Sequence, residues 1–367
     1  MKAAVCYEYG KPLVVEEINI DPPQRGEVKV RLAVTAICHS DIGQVREGTG
    51  GHLPFVSGHE CAGYVDEVGE GVTSVKPGDA TVVCHMASCG KCFYCLTGRP
   101  HLCEYDWPLN RESRISNKQG QRLGPVIGFA GFAEYVIVDQ SQLVKIPKEM
   151  PMDRAALLAC GVITGFGAVV NRAKVQPHES VVVIGAGGIG LNAVQGAAFV
   201  SAHPVIAVDI NDKKLQAART FGAKHTINSK QEDAIKVVKQ LTSGHGADYV
   251  FVTVSSASGG SESSDPLVQG FSMSGPRGTT VIVGLSSMKK GMVSLPVSQF
   301  LKDERVLMGC YMGSTNLGVD IPRLVALYQA GRLKLDELIT GRYPLEKINE
   351  AIDSVERGEA LRNVIVF

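Results

Sequence analysis

The sequence predicts an α/β fold in two domains, a β-rich body and a doubly wound parallel sheet. Three observations carry that expectation. The length of 367 residues corresponds to about two domains at roughly 150 residues each. The N-terminal part reads as short strands punctuated by glycine, and from about residue 162 the texture changes to alternating strand and helix. Within that second part, Gly185-Ala186-Gly187-Gly188-Ile189-Gly190 directly follows a run of branched residues and opens a helical period.

The elements follow in order. Residues 28–34 and 64–68 alternate or cluster β-branched side chains as strands do, and Val75-Lys76-Pro77-Gly78-Asp79 is turn chemistry between such runs. Cys38-His39-Ser40-Asp41 is expected to end a strand and Gly58-His59-Glu60 to open another. Residues 104–125 are polar, carry three arginines and show no clear period, so they read as a long surface excursion. Residues 180–184 form a buried-type strand, and Leu191, Val194 and Ala198 set a helical period behind it. A strand at 205–208 and a helix at 213–221, stopped by Gly222, repeat the unit. Further strands fit 249–254 and 280–283, with a Ser/Gly-rich surface loop at 255–264. Two helical stretches, 321–331 and 345–358, and a final strand at 363–367 close the chain.

Composition narrows the partners. Lys plus Arg number 37, as do Asp plus Glu, so the formal net charge is zero. Nucleic acid or an anionic membrane surface as main partner would favour a basic excess. With 44% hydrophobic residues and a mean hydropathy of +0.07, there is ample material for two cores. No apolar run approaches the ~20 residues of a membrane span, and the start, Met1-Lys2-Ala3-Ala4-Val5-Cys6-Tyr7, has no signal-peptide core. A cytoplasmic protein is the expectation.

Ten cysteines in such a chain point to metal or catalysis rather than disulfides. Cys89-Gly-Lys-Cys92-Phe-Tyr-Cys95, with Cys103 following, can fold four thiolates around one point. A closed tetrahedral zinc site is one reading and an iron–sulfur cluster the other.

The glycine-rich turn has its own chemistry. Gly185, Gly187, Gly188 and Gly190 permit the tight turn, backbone approach to a pyrophosphate and close helix–sheet packing. Asp209 ends the second strand of this region, 19 residues past Gly190. There it faces ribose hydroxyls and repels a 2′-phosphate, which favours NAD; Lys213 and Lys214 leave NADP open. Three other positions, Cys38, His59 and Cys160, offer two thiolates and an imidazole. That donor set leaves a fourth position open, as a catalytic zinc requires.

Several of these motifs in one order make the chain resemble the zinc-dependent medium-chain alcohol dehydrogenases over essentially its whole length. The shared pattern includes Cys38-His39-Ser40-Asp41, Gly58-His59-Glu60, the four-cysteine lobe, Cys160-Gly161-Val162-Ile163-Thr164-Gly165, Gly185 to Gly190, Val208-Asp209-Ile210-Asn211 and Leu361-Arg362-Asn363-Val364. The resemblance implies a GroES-like catalytic domain, residues 1–161 and 312–367, interrupted by a Rossmann domain at 162–311. It implies NAD and two zinc ions per chain. Cys38, His59 and Cys160 would hold the catalytic zinc, and Cys89, Cys92, Cys95 and Cys103 the structural one. Asp41 would orient His59, Glu60 would approach the zinc during ligand exchange, and Ser40 would bond the substrate oxygen. His39 and Arg362 would contact pyrophosphate and Lys214 the adenosine ribose. Ile189 and Thr164 would support the nicotinamide, and the main chain at Val283, Cys310 and Met312 would receive its carboxamide. A homo-oligomer, dimer or tetramer, acting on a small alcohol or aldehyde is the implied enzyme.

Departures from the family pattern shape the substrate question. Gly43 stands where the best-known members end their proton relay in histidine, so a proton leaving Ser40 needs water or another base. His85 replaces a common aromatic pocket residue; it makes the pocket more polar or is simply a packed, hydrogen-bonded histidine. Trp107 stands where the glutathione-dependent branch has arginine, and Cys160 favours simple alcohols over polyols. The cations Arg111, Arg114, Lys118 and Arg122 motivate an alternative, a larger conjugated alcohol such as a thiol adduct, a cyclic alcohol or an acyl-thioester-linked one. A non-catalytic nucleotide- and zinc-binding protein is the remaining alternative, and the presence of all three ligands argues against it.

Overall fold

The computed structural model describes residues 1–49, 52–124, 129–254, 265–284 and 293–367. The Ser/Gly-rich loop expected at 255–264 lies outside them. In chain order the first elements are β1 (Lys2–Cys6), β2 (Val14–Glu17), β3 (Asn19–Ile20), β4 (Glu27–Ala36), α1 (His39–Glu47), β5 (Phe55–Val56), β6 (Glu60–Val68), β7 (Ala80–Cys84), α2 (Phe93–Leu96), β8 (Ile115–Ser116), β9 (Tyr135–Asp139), β10 (Leu143–Lys145) and α3 (Met152–Leu157). Then come α4 (Ile163–Gly167), β11 (Val181–Ile184), α5 (Gly188–Phe199), β12 (Val205–Asp209), α6 (Asp212–Thr220), β13 (His225–Asn228), α7 (Ala234–Leu241), β14 (Ala247–Val252), α8 (Pro266–Met273), β15 (Ser274–Ile282), α9 (Val297–Asp303) and β16 (Val306–Gly309). The chain ends with α10 (Leu317–Gln329), β17 (Ile339–Pro344), α11 (Ile348–Glu356) and β18 (Arg362–Val366).

Two units divide the chain, Met1–Cys160 with Asn316–Phe367, and Gly161–Thr315. The second divide falls four residues later than the 311/312 edge expected from sequence. The cause is local: Met312–Ser314 form a 3-10 turn that belongs with α4. Asn171 Nδ2 donates to the Gly313 carbonyl at 3.3 Å, and a Cβ on Gly167 would stand 2.5 Å from that same oxygen.

In the first unit, seven strands form one sheet in the order β10-β7-β6-β4-β18-β17, with β9 also pairing β4. The C-terminal β18 lies antiparallel to β4, Val364 opposite Ala36, so the returning chain is built into the catalytic sheet. Val28, Val30, Leu32, Val65 and Val136 pack one core beneath it. A second core gathers Val5, Phe55, Phe132, Ile348 and Ile352, and α11 presents Ile348, Ala351, Ile352 and Val355 to it at helical spacing.

The 104–125 segment departs from the sequence reading. Among its described residues, Leu109, Arg114, Ile115, Ser116, Asn117 and Leu123 are buried, and β8 pairs β3 antiparallel. An ion pair buried on both sides, Arg114 to Glu27 at 2.7 Å, anchors it beneath β4, a fixing that a polar composition without period does not announce.

The second unit carries a six-stranded parallel sheet in the order β13-β12-β11-β14-β15-β16. Val181, Val182 and Val183 of the central β11 are fully buried, as a strand covered on both faces requires. Chain order reverses direction at β11, so the crevice beyond its carboxyl end is the switch point where such sheets bind ligands. Gly185 to Gly190 sit there.

One further difference concerns membranes. The helical stretch Met152–Ala173 is 22 residues long and apolar enough to span a bilayer by length and composition. Asp153, Arg154, Asn171 and Arg172 sit at its two ends, and 83% of its most apolar window is buried inside the protein, which makes it a core helix.

Candidate active site

The site is assembled by three short segments of the first unit. Cys38 does not end a strand as expected: β4 stops at Ala36, and Cys38 precedes the first residue of α1. Asp41, three residues on, accepts the Cys38 backbone N–H at 3.0 Å, satisfying one of the donors a helix start leaves open. The turn before β6 depends on Gly58, whose φ of +100° and whose hypothetical Cβ, 2.6 Å from the Phe132 amide nitrogen, admit no side chain. It delivers His59. Cys160 comes from a π turn, Leu158–Val162, in the long helical stretch, a distortion often found at functional positions.

The sulfurs of Cys38 and Cys160, a nitrogen of His59 and an oxygen of Glu60 lie within 4.8 Å of one another, all buried. Burial of so many ionisable groups disturbs each of them. A hydrogen bond from Cys160 pulls the Cys38 thiol well below its usual value against the cost of burial. The Cys160 thiol is pushed well up by the same bond and by burial. Burial works against a charged His59, but Asp41 and Cys38 outweigh it and hold its pKa high. Glu60 is raised to about 7 by burial, against the pull of Arg362. Its Oε2 accepts from the buried Arg362, while Oε1 is buried with no hydrogen-bond partner among the described residues. A divalent cation answers all of this: it takes two thiolates, an imidazole nitrogen and an orphaned carboxylate oxygen, which are zinc's donors.

Asp41 decides which nitrogen of His59 faces that point. Its Oδ1 accepts from His59 Nδ1 at 2.8 Å, Gly58 N at 3.0 Å and Ser57 Oγ at 3.0 Å. Nδ1 therefore carries the proton and Nε2 is left as the donor. Ser40 Oγ stands 3.4 Å from that Nε2, at the rim of the donor cluster. His39 is exposed. His85, beyond the end of β7, meets the His59 ring edge-on with centroids 5.4 Å apart. Desolvation, then the His59 charge, push its pKa down to about 3, so it enters the site as neutral imidazole.

The lobe is a separate cluster. The sulfurs of Cys89, Cys92, Cys95 and Cys103 lie within 4.8 Å of one another. Backbone N–H groups of Cys92 and Cys89 donate to Cys89 Sγ and Cys103 Sγ, each at 3.3 Å, and backbone N–H groups lower the Cys92 thiol to about 6. Cys92 and Cys103 sulfurs are 3.9 Å apart; a tetrahedron of 2.3 Å bonds has edges of about 3.8 Å. One metal ion fits, whereas an iron–sulfur core would spread the sulfurs further. Of the other thiols, Cys6, Cys61 and Cys84 are buried, and burial raises Cys84 to about 12.

In the second unit, Gly190 is dictated by packing, since a Cβ there would stand 1.7 Å from the Gly185 carbonyl oxygen. Gly187 is different. Its φ of −83° suits any residue, and a Cβ would meet nothing within 4 Å. Nothing among the described residues asks for glycine there, whereas a phosphate lying on the N-terminus of α5 would. Asp209 Oδ2 accepts the Ala186 N–H at 2.7 Å and Oδ1 the Asn211 N–H at 2.9 Å, so its carboxylate also braces the loop. Lys214 lies in the first turn of α6, its backbone N–H 3.4 Å from Asn211 Oδ1. Ile189 is half-buried at the start of α5. Thr164 Oγ1 donates to Met312 Sδ at 3.6 Å. Val283 and Cys310 follow the carboxyl ends of β15 and β16, on the same sheet edge as the glycine loop. Their N–H groups are used by the Val252 and Ile282 carbonyls, so what they offer a carboxamide is a carbonyl.

Sequence reasoning missed Ser57, Gln44 and the pairing of Arg362 with Glu60. Only the first two left a signal, a serine directly before Gly58-His59 and a glutamine one turn beyond Asp41. The four cations of the 104–125 segment are all engaged: Arg111 with Asp106, Arg114 with Glu27, Lys118 with Glu17 and Arg122 with Asp21.

A buried set of two thiolates, an imidazole and a carboxylate, a four-thiolate lobe and a glycine loop on a doubly wound sheet together define an oxidoreductase of the dehydrogenase class. Residues 24–148 match the alcohol dehydrogenase GroES-like domain, and residues 188–329 the zinc-binding dehydrogenase domain. The chain is 39% identical to the NDMA-dependent alcohol dehydrogenase of Amycolatopsis methanolica over all of this chain and 98% of that one. It is 37% identical to the class-3 alcohol dehydrogenase of Zea mays, covering 100% and 96% of the two chains. Benzyl alcohol dehydrogenase from Acinetobacter calcoaceticus superposes with a TM-score of 0.90 at 31% identity, over 100% of this chain and 99% of that one. The chain belongs to the zinc-dependent medium-chain alcohol dehydrogenase family.

Proposed function

We propose that this enzyme interconverts an alcohol and its aldehyde or ketone, using NAD and a zinc ion held by Cys38, His59 and Cys160, with a second zinc in the lobe. The observation that carries the reading is the buried donor set with its orphaned Glu60 oxygen, in a chain whose Gly187 leaves room for a phosphate. Bound there, zinc would supply Lewis acidity at the substrate oxygen and NAD a hydride acceptor. The residues do the rest. Asp41 holds His59 in the tautomer that donates Nε2. Ser40, 3.4 Å from Nε2, would accept the hydroxyl proton while passing its own to water or another base, since Gly43 offers no side chain. His39 and Arg362 are assigned to pyrophosphate from the family resemblance, and Arg362 is bonded to Glu60 here. Lys214 and Asp209 are assigned to the ribose, and Thr164, Ile189, Val283, Cys310 and Met312 to the nicotinamide. Ten free thiols suit a cytoplasmic setting, and a homodimer or homotetramer is the assembly we infer.

The test is an alcohol and aldehyde panel followed at the NADH absorbance band, with Cys160→Ala as control. Turnover should vanish in that variant with NADH binding kept; unchanged turnover would sink the assignment. A second reading takes the name of the Amycolatopsis relative: turnover that needs NDMA. Assays with NAD alone, and with NDMA added, separate the two. Larger alcohols remain compatible, although the 104–125 cations no longer argue for an anionic conjugate.

A further inference from the structure

We infer that Ser57 and Gln44 are positioning residues for the catalytic metal, acting through Asp41 and His59; the inference rests on the metal reading proposed above. Ser57 Oγ lies 3.0 Å from Asp41 Oδ1 and 2.7 Å from Gln44 Oε1. Ser57 and Gln44 are 1% and 2% exposed, so no water competes for these bonds. The serine has one proton for two acceptors. It goes to the carboxylate, because a charge-assisted bond is about twice as strong as a neutral one. Gln44 then serves Ser57 with its amide N–H, the two ends of a carboxamide being interchangeable by rotation.

The result is a buried chain, Gln44 to Ser57 to Asp41 to His59. It joins two of the three segments that carry metal donors. Asp41 and Gln44 sit on α1, which begins directly after Cys38; Ser57 sits on the turn that delivers His59. Asp41 Oδ1 takes three donors and Oδ2 takes the Cys38 amide, so the carboxylate plane is fixed from both segments at once. Without Ser57, one of the three bonds that hold Oδ1 is lost, and Gln44 is left buried without its partner. The imidazole then gains freedom about the direction of its Nε2 lone pair, the freedom a metal ligand must not have.

The experiment uses the metal-loaded enzyme and measures release of metal to a chelator, with turnover and metal content followed together. Ser57→Ala and Gln44→Met should release the metal whose loss tracks turnover about 10-fold faster than wild type. The lobe metal and NADH binding should stay unchanged, which shows that both variants are folded. Ser57→Thr, which keeps the hydroxyl, should restore slow release. Cobalt substituted at the catalytic site should show a shifted d–d band in Ser57→Ala and not in Ser57→Thr. Wild-type release rates in both variants would overturn the inference, as would loss of both metals together, which marks a general structural defect. A wild-type enzyme with no turnover-linked metal would overturn the proposed function itself.

Discussion

Asp41 shows how one buried side chain can set the chemistry of another. It is 1% exposed and takes four hydrogen bonds, one of them from the imidazole that must present Nε2 to the metal. Asp41→Asn is close in shape but has one accepting oxygen where the site needs two, and its amide N–H would face a donor. Affinity for the catalytic metal should drop 10- to 100-fold, read by competition with a chelating dye, while the lobe keeps its ion. Asp209 carries a double duty that the sequence showed only half of. Its position at the end of β12 suggests a ribose contact from sequence alone; its bonds to Ala186 and Asn211 do not show there, because backbone donors leave no mark on composition. Asp209→Gly should therefore relax the preference for NAD over NADP and also weaken NADH itself. A variant that gains NADP turnover with NADH affinity intact would show that the brace does not matter.

At the scale of elements, strongly patterned segments were the legible ones. β11, β12, α5, α6 and β18 lie within a few residues of where periodicity put them. What failed was failed by tertiary context. The helical stretch expected from residue 321 begins four residues earlier, at Leu317, with Pro322 inside it. Cys38 reads as the end of a strand because the helix it precedes is polar and short. Residues 104–124 read as a surface because their anchor, the Arg114–Glu27 pair, joins positions 87 residues apart. The glycine loop was legible as a motif, but only the structure separates its members. Gly190→Ala places a methyl against the Gly185 carbonyl and should unfold the loop, at a cost of roughly 1–3 kcal/mol. Gly187→Ala should fold normally, since nothing stands within 4 Å of the new Cβ, and still lose NADH affinity. Unfolding midpoint and NADH titration on the pair would separate packing glycine from ligand glycine.

For the whole molecule, the metal-donor clusters and the glycine loop lie in different units. All eight metal-donor residues fall in Met1–Cys160, and the glycine loop with Asp209 falls in Gly161–Thr315. The sequence announced this division through its change of texture and its two cysteine patterns, but not that β18 would close the catalytic sheet against β4. Metal and cofactor should accordingly be separable. Without its ion, the first unit must bury Cys38, Cys160, His59 and Glu60 as mutually perturbed ionisable groups, and it loses the binding free energy that favoured the folded state. Linkage puts that loss at about 4 kcal/mol for a metal present at 1,000 times its Kd. Exhaustive chelation should thus abolish turnover and lower the thermal stability of the first unit. NADH binding, followed by its fluorescence, should survive nearly unchanged, because the loop's bonds to Asp209 and the packing of Gly190 owe nothing to the metal. If chelated protein lost NADH binding in step with its metal, the two halves would be energetically one, and the separation read from their residues would be wrong.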